Sequence, residues 1–162
     1  MIHELARLLD EGKMDETGLL MEPWFSQGVS VSSEGENGND RGVIMQKDIR
    51  QLQMAKAAVS AGIDLLLKKA NITYDQVDQV WLAGGFGYYL SIAGAVRIGL
   101  IPKQWERCCV SVGNSALLGA ALAGWRMDHV IDEMEAMKCK VSVINLAMEP
   151  EFNEQFIKNM NF

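Results

Sequence analysis

Val80-Trp81-Leu82-Ala83-Gly84-Gly85-Phe86-Gly87 decides the fold: a short apolar run that stops on a glycine-rich turn. So short a run, bounded by turn signals, fits a strand buried in a sheet better than a buried helix. The residues that follow, from about Ser91 to Gly99, read as a helix closed by Pro102. Cys108-Cys109-Val110-Ser111-Val112 is then a second nearly unbroken apolar strand, and it too ends in glycine, Gly113. Strand, helix and strand in this order belong to the rhythm of an α/β domain with a largely parallel sheet. In open α/β sheets ligands sit outside the carboxyl ends of the strands. Gly84-Gly85-Phe86-Gly87 and Gly113-Asn114 are therefore the candidate ligand turns. Glycine serves there by close backbone approach or by positive φ. The competing explanation is structural, a glycine that only lets the next helix pack.

Upstream, Ile2, Leu5, Ala6 and Leu9 share one helical face, and Gly12 stops that helix. Trp24-Phe25, interrupted by Pro23, reads as irregular or edge structure. Gly28 to Ser32 and Gly42 to Met45 are short β-like runs around an acidic, glycine- and asparagine-rich stretch from Ser33 to Arg41, so residues 28–45 are expected to form a β-hairpin with a solvated loop. The clearest helix opens at Asp48, read as an N-cap with Gln51 reaching back. Its expected apolar stripe is Ile49, Leu52, Ala55, Val59, Ile63, Leu66 and Ala70. Lys68 and Lys69 suit the helix C-terminus and Asn71 suits a left-handed stop. Gln53 and Lys56 stand beside that stripe. A lysine there either reaches a ribose or phosphate, or lays its stem on the core and solvates its tip.

Downstream, Ser115 to Trp125 is a helix faced with Ala116, Gly119, Ala120, Ala123 and Gly124, small enough for close approach of a neighbour. A helix around Met127 to Met137, a strand from Cys139 to Asn145 and a terminal helix from about Pro150 complete the reading. The alternation predicts one α/β domain over residues 1–162 with a largely parallel sheet and flanking helices.

Composition narrows the function. With 162 residues and 49% hydrophobic residues, the chain can bury one sizeable core. A net charge of −6 without any Lys/Arg cluster argues against nucleic acid. Its longest apolar run, Ala116 to Trp125, falls far short of the roughly 20 residues of a membrane span. Met1 to Arg7 does not read as a secretory signal. The three cysteines lack CxxC spacing and fit thiols in a reducing, cytoplasmic setting. Neither they nor His3 and His129 have metal-ligand spacing.

Common catalytic motifs fail as well. Gly85-Phe86-Gly87-Tyr88-Tyr89-Leu90 has leucine where a dinucleotide-binding turn needs its third glycine. No GK[ST] or GxSxG occurs. Asp75 and Asp78 read as solvated turn residues.

Four ordered blocks are more specific than any single turn: Met45 to Ala58, Val80 to Tyr89, Ala95 to Pro102, and Val112 to Ala116. Together they resemble the C-terminal part of the ATP-dependent reductive activators of corrinoid proteins, a family with iron–sulfur members. That family is similar to the ASKHA superfamily of sugar kinases, chaperones and actin, whose RNase H-like lobes close on ATP. The resemblance implies that this chain is mostly the second lobe. It implies that Gly84 and Gly85, with Phe86 and Gly87, form the adenosine-contacting turn, and that Gln53 and Lys56 lie on the helix bordering the adenine. Gly113 and Asn114, with the small-residue helix after them, would form the connecting helix at the hinge.

The same resemblance implies ATP or ADP with magnesium, and a corrinoid protein partner reduced from Co(II) to Co(I). The electron would come from a plant-type iron–sulfur domain that lies N-terminal in the family. This chain has no C-x₄-C-x₂-C pattern. The phosphate-loop lobe has no counterpart in it either, so we expect a fragment or truncated product holding half a site, whose cut face favours self-association, including a homodimer. Alternatives stay open. One is an ATPase activator of a hydroxyacyl-CoA dehydratase. Another is a non-enzymatic docking module presenting Trp24-Phe25 or the acidic loop. The third is a stand-alone fold with structural glycines.

Overall fold

The structure is a computed structural model that describes residues 1–32, 41–125 and 127–162. Helix α1 (Ile2–Asp10) buries Ile2, Leu5, Ala6, Leu8 and Leu9 on one face. It ends where Gly12 turns to φ +66°, and the Lys13 N–H donates back to the Leu8 carbonyl at 2.9 Å. The Asp15 carboxylate then closes a tight loop, accepting from the Thr17 hydroxyl at 2.7 Å and the Leu19 N–H at 2.9 Å. Trp24-Phe25 is helical, not irregular. Pro23 is the N-cap of the one-turn helix α2 (Trp24–Gln27), a position where its missing N–H costs nothing.

Strands β1 (Val29–Ser32) and β2 (Arg41–Ile44) pair antiparallel, Val29 opposite Ile44, as the expected hairpin. Both of those residues are buried, whereas Val43 on the other face is exposed. The acidic loop between the strands falls on residues 33–40, outside the described residues.

Helix α3 (Gln46–Ala70) starts earlier than its sequence signal. Met45 is the N-cap, and Asp48 sits one turn inside, where its carboxylate accepts the Met45 N–H at 2.9 Å. The capping aspartate was therefore correctly singled out but placed three residues too early in the helix, and Gln51 takes no part. Asn71 ends the helix in the left-handed region at φ 54°. Its buried face also departs from the expected stripe. Ile49, Ala57, Ala61, Gly62 and Leu65 are buried together with Gln53 and Lys56, while Val59 and Leu66 are exposed. The reason is α8 (Pro150–Lys158), which packs along the small residues of α3. A Cβ on Gly62 would meet Leu146, just before α8, at 3.6 Å. Ion pairs Lys68–Glu151 (2.6 Å) and Lys69–Glu149 (2.5 Å) fasten the same contact at the surface.

A short 3-10 turn at Tyr74–Gln76 carries the Thr73–Gln76 capping pair. Strand β3 (Val80–Ala83) follows, then α4 (Gly84–Tyr89) and α5 (Ile92–Arg97), whose N-cap Ser91 accepts the Gly94 N–H at 3.2 Å. Strand β4 (Cys109–Gly113) returns parallel to β3, completing a βαβ unit. Helices α6 (Ser115–Trp125) and α7 (Met127–Lys138) come next.

Two corrections concern the sheet. Among the described residues the strands form two separate two-stranded sheets, one antiparallel and one parallel, in place of one largely parallel sheet. Cys139 to Asn145 is a turn and irregular chain, not a strand. Val141 and Val143 are β-favouring residues, but both are exposed, the Val141 N–H donates back to the Lys138 carbonyl at 3.3 Å, and among the described residues neither joins a ladder, through which strand preference is realised.

The core gathers α1, α5, the hairpin and the first turns of α3: Leu5, Leu8, Ile49, Ala95 and Ile98 are completely enclosed. Arg97 bonds Asp10 at 2.6 Å across the α1–α5 packing. No helix among the described residues is long and apolar enough to cross a membrane.

Candidate functional site

β3 and β4 run side by side and end together, with Ala83 opposite Gly113 after a one-residue irregularity in register. This brings the two predicted glycine turns to one edge. The Ser111 hydroxyl lies 3.4 Å from the Gly87 carbonyl, and a Cβ on Gly113 would be 3.9 Å from the Tyr88 ring.

The glycines at this edge have different causes. Gly84 and Gly113 hold φ +80° and +63°, where a side chain is strained. Gly87 is buried, and a Cβ there would fall 2.9 Å from the Leu82 carbonyl carbon, so packing excludes any larger residue. Gly85 has neither reason. Its φ is not positive, and a Cβ would meet nothing within 4 Å.

What Gly85 does is open a cleft of about 320 Å³, lined by Leu52 of α3, Ile2, Phe86, Tyr89, Leu90 and Ser91. The walls are mainly apolar and aromatic. Phe86 and Tyr89 are 70% and 86% exposed, so flat rings border the opening with little of their surface covered. Beside it, Asn114 accepts the Leu117 N–H at 3.0 Å and caps α6. The expected residues Gly84, Gly85, Phe86, Gly87, Gly113 and Asn114 therefore lie along one edge. Leu52, Leu90 and Ser91 are lining residues that sequence reasoning missed. Leu52 packs against the core, as its stripe predicts, and also lines the cleft, a second role that no local signal announces.

Gln53 and Lys56 are placed differently. They lie on the buried face of α3, at 1% and 3% exposure, and do not line the cleft at Gly85. Gln53 donates to the carbonyls of Thr17 (2.8 Å) and Met160 (3.2 Å), and Lys56 to that of Asn159 (2.8 Å). Burial holds the Lys56 pKa below the usual lysine range.

The thiols do not make a cluster site. Cys108 and Cys109 are half-buried, the latter on β4, and Cys139 is exposed beyond α7. Burial, and then the neighbouring Cys108, pushes the Cys109 thiol up, away from the thiolate that an iron–sulfur ligand needs. Among the described residues no group of three His, Cys, Asp or Glu could hold a metal ion.

The family described as "C-terminal domain of RACo the ASKHA domain" matches residues 1–162. The chain belongs to this family. Membership gives the chain an ASKHA, actin-like fold. The ASKHA chain is 33% identical over 138 residues to the corrinoid activation enzyme RamQ of Eubacterium limosum, across 82% of its own length and 22% of that protein. A "[Co(II) methylated amine-specific corrinoid protein] reductase" of Methanosarcina barkeri is 25% identical over 122 residues, covering 74% and 22%. Among solved structures, a "Reductive activator for corrinoid,iron-sulfur protein" superposes with a TM-score of 0.82 at 30% identity. That match covers 99% of this chain and 27% of the other. The chain thus spans about a quarter or less of the relatives it matches.

Proposed function

We propose that this chain is the nucleotide-binding ASKHA part of an ATP-dependent activator that returns corrinoid proteins from Co(II) to Co(I). The observation that carries the reading is Gly85: an exposed glycine without a conformational or packing reason, lining an aromatic-edged cleft where two parallel strands end. A missing side chain with open space above it is what a closely approaching planar ligand requires. Gly84, Gly85, Phe86 and Gly87 would hold the adenosine side, with Gly113 and Asn114 at the flank.

Bound ATP would supply the hydrolysis free energy that makes an uphill reduction possible. This chain's own residues bind and orient. Gly84 turns the backbone, Gly85 leaves room for a close approach, and Leu52 and Ile2 exclude water from one wall. Binding acts on the reaction only through a difference in affinity between two conformations. No side chain of this set is suited to hold magnesium, nor do the cysteines fit an iron–sulfur cluster. The phosphate half-site and the electron carrier are therefore assigned to other parts of a longer activator. A cytoplasmic setting agrees with the free thiols. The corrinoid partner follows from the relatives, which are named for acting on corrinoid proteins.

A specific observation favours protein docking beside this role. α6 has no buried residue although Leu117, Leu118 and Leu122 lie on it. We place the other ASKHA lobe, or a second copy of the chain, against that helix.

The test is calorimetric titration of ADP and ATP against the activator and its Gly85→Glu variant. Loss of binding at an unchanged melting temperature is expected, because the added side chain enters open space. Undiminished binding by the variant would refute the assignment.

A further inference from the structure

Lys56 and Gln53 are the polar side chains of the buried face of α3, and the chain's closing residues take both. The Lys56 ammonium donates to the carbonyls of Asn159 and Asn161 and lies 5.8 Å from the centroid of the Phe162 ring. Gln53 donates to the Met160 carbonyl between them. Every carbonyl from Asn159 to Asn161 thus accepts from a side chain of one helix. The Phe162 N–H donates onward to the Glu16 carbonyl at 2.8 Å, and the Asn159 amide donates to Asp64 of α3 at 3.0 Å.

Two loops are shaped around these receptors. A Cβ on Gly99 would stand 3.1 Å from the Lys56 Cε, and one on Gly18 would stand 2.5 Å from the Gln53 amide nitrogen. Among the described residues no carboxylate lies within ion-pair distance of Lys56. A buried ammonium is tolerated only when its protons are received. Here the receivers are main-chain carbonyls and an aromatic face. Without residues 159–162, Lys56 would lose both carbonyls that accept from it and the ring beside it.

We propose that Asn159–Phe162 is a strap, latched through Lys56 and Gln53, that ties α8 and the Glu16–Gly18 loop to α3. The strap thereby fixes the rotation of α3 about its axis. Gln53 and Lys56 face the strap, and Leu52 is turned to the cleft at Gly85. Lys56 is a positioning residue in this device. Recognition is of backbone, so the identities of Asn159, Met160 and Asn161 matter less than their path, whereas the Phe162 ring matters in itself.

Two measurements test the strap, and neither involves a nucleotide. The first is a thermal double-mutant cycle of Lys56→Met, which conserves volume, and deletion of residues 159–162. Each change alone is expected to lower Tm by roughly 5–10 °C, and the combination no further than the deletion. Additive losses would overturn the latch. The second is acylation of lysine amines in the intact chain, read by mass spectrometry. Lys56 should react on the order of tenfold or more slowly than exposed Lys47 and Lys140, and Phe162→Ala should speed it selectively. Reaction of Lys56 at the rate of the exposed lysines would also overturn it. The Phe162 variant leaves the carbonyls in place, so it remains informative if the deletion fails to fold.

Discussion

Helices α1 and α6 are both rich in aliphatic residues, yet α1 buries Ile2, Leu5, Ala6, Leu8 and Leu9 whereas α6 buries none. The difference lies in the other residues. α1 sets Glu4, Arg7 and Asp10 against its apolar face, so one side suits water and one suits the core. α6 reads Ser-Ala-Leu-Leu-Gly-Ala-Ala-Leu-Ala-Gly-Trp without a charge, and a helix apolar on all sides is made for burial on all sides. The same contrast runs through the sheet. Val80 and Leu82 lean on the core, while Trp81, opposite Val110, is 70% exposed. One part of the molecule is finished by its own sequence, and the other presents a surface that calls for another protein surface.

That contrast can be broken most directly at its extremes. Leu8→Ala in α1 should cost about 2–5 kcal/mol in denaturant unfolding, because it empties an enclosed site. Leu118→Ala in α6 should stay within about 0.5 kcal/mol of the parent. Equal losses would mean that α6 already belongs to the core.

A smaller difference separates two glycines of the same turn. Gly87→Ala should destabilise by about 1–3 kcal/mol, since its Cβ would overlap the Leu82 backbone. Gly85→Ala should be neutral or slightly stabilising, because alanine is the better helix former and nothing stands in its way. A matching pair of melting curves would remove the reason for reading Gly85 as a ligand contact.

Smaller again is an alkaline effect on the finished half. Burial, helped by the hydrogen bond to Asp64, pushes the Tyr74 phenol up to about 12 from 10.0. The folded state therefore holds this proton more tightly than the unfolded chain. The associated stability is fully present below about pH 10 and is lost as pH rises through about 12. Tyr74→Phe should flatten that limb of the stability profile. The smallest expected effect on folding is that of Leu118→Ser, an unchanged Tm in a melting scan, because the side chain is exposed.

Much of the finished half was legible in sequence because its signals are local. The three- and four-residue spacing of α1, the hairpin, the helix start near Ser91 and the strand–glycine pairs each depend on neighbours within a few residues. The errors share one cause, dependence on distant chain. The face of α3 was misassigned because α8, some hundred residues later, selects Ala57, Ala61 and Gly62 for contact. Cys139 to Asn145 reads as a strand by composition, but a strand needs a partner that the described residues do not offer. At the candidate site the turn itself could be read, while Leu52 and Ser91 become cleft residues only through packing. Gln53 and Lys56 read as residues bordering the adenine because nothing near them in sequence announces the carbonyls to which they donate.

The strap also has a consequence for the order of synthesis. Its bonds to α3 join residues 103 to 107 positions apart, the longest hydrogen-bonded side-chain separations in the described chain. Contacts between distant positions form late, after local elements have collapsed. On the ribosome, α3 emerges with an amine on its inner face long before Asn159 to Phe162 exist. Until then Lys56 lacks the carbonyls that accept from it in the finished fold, and the proposed strap cannot yet hold α3 with Leu52 toward the cleft. A stalled or prematurely released chain would carry the glycine turn without a settled α3 beside it. The wall is completed only when nearly the whole domain has been made.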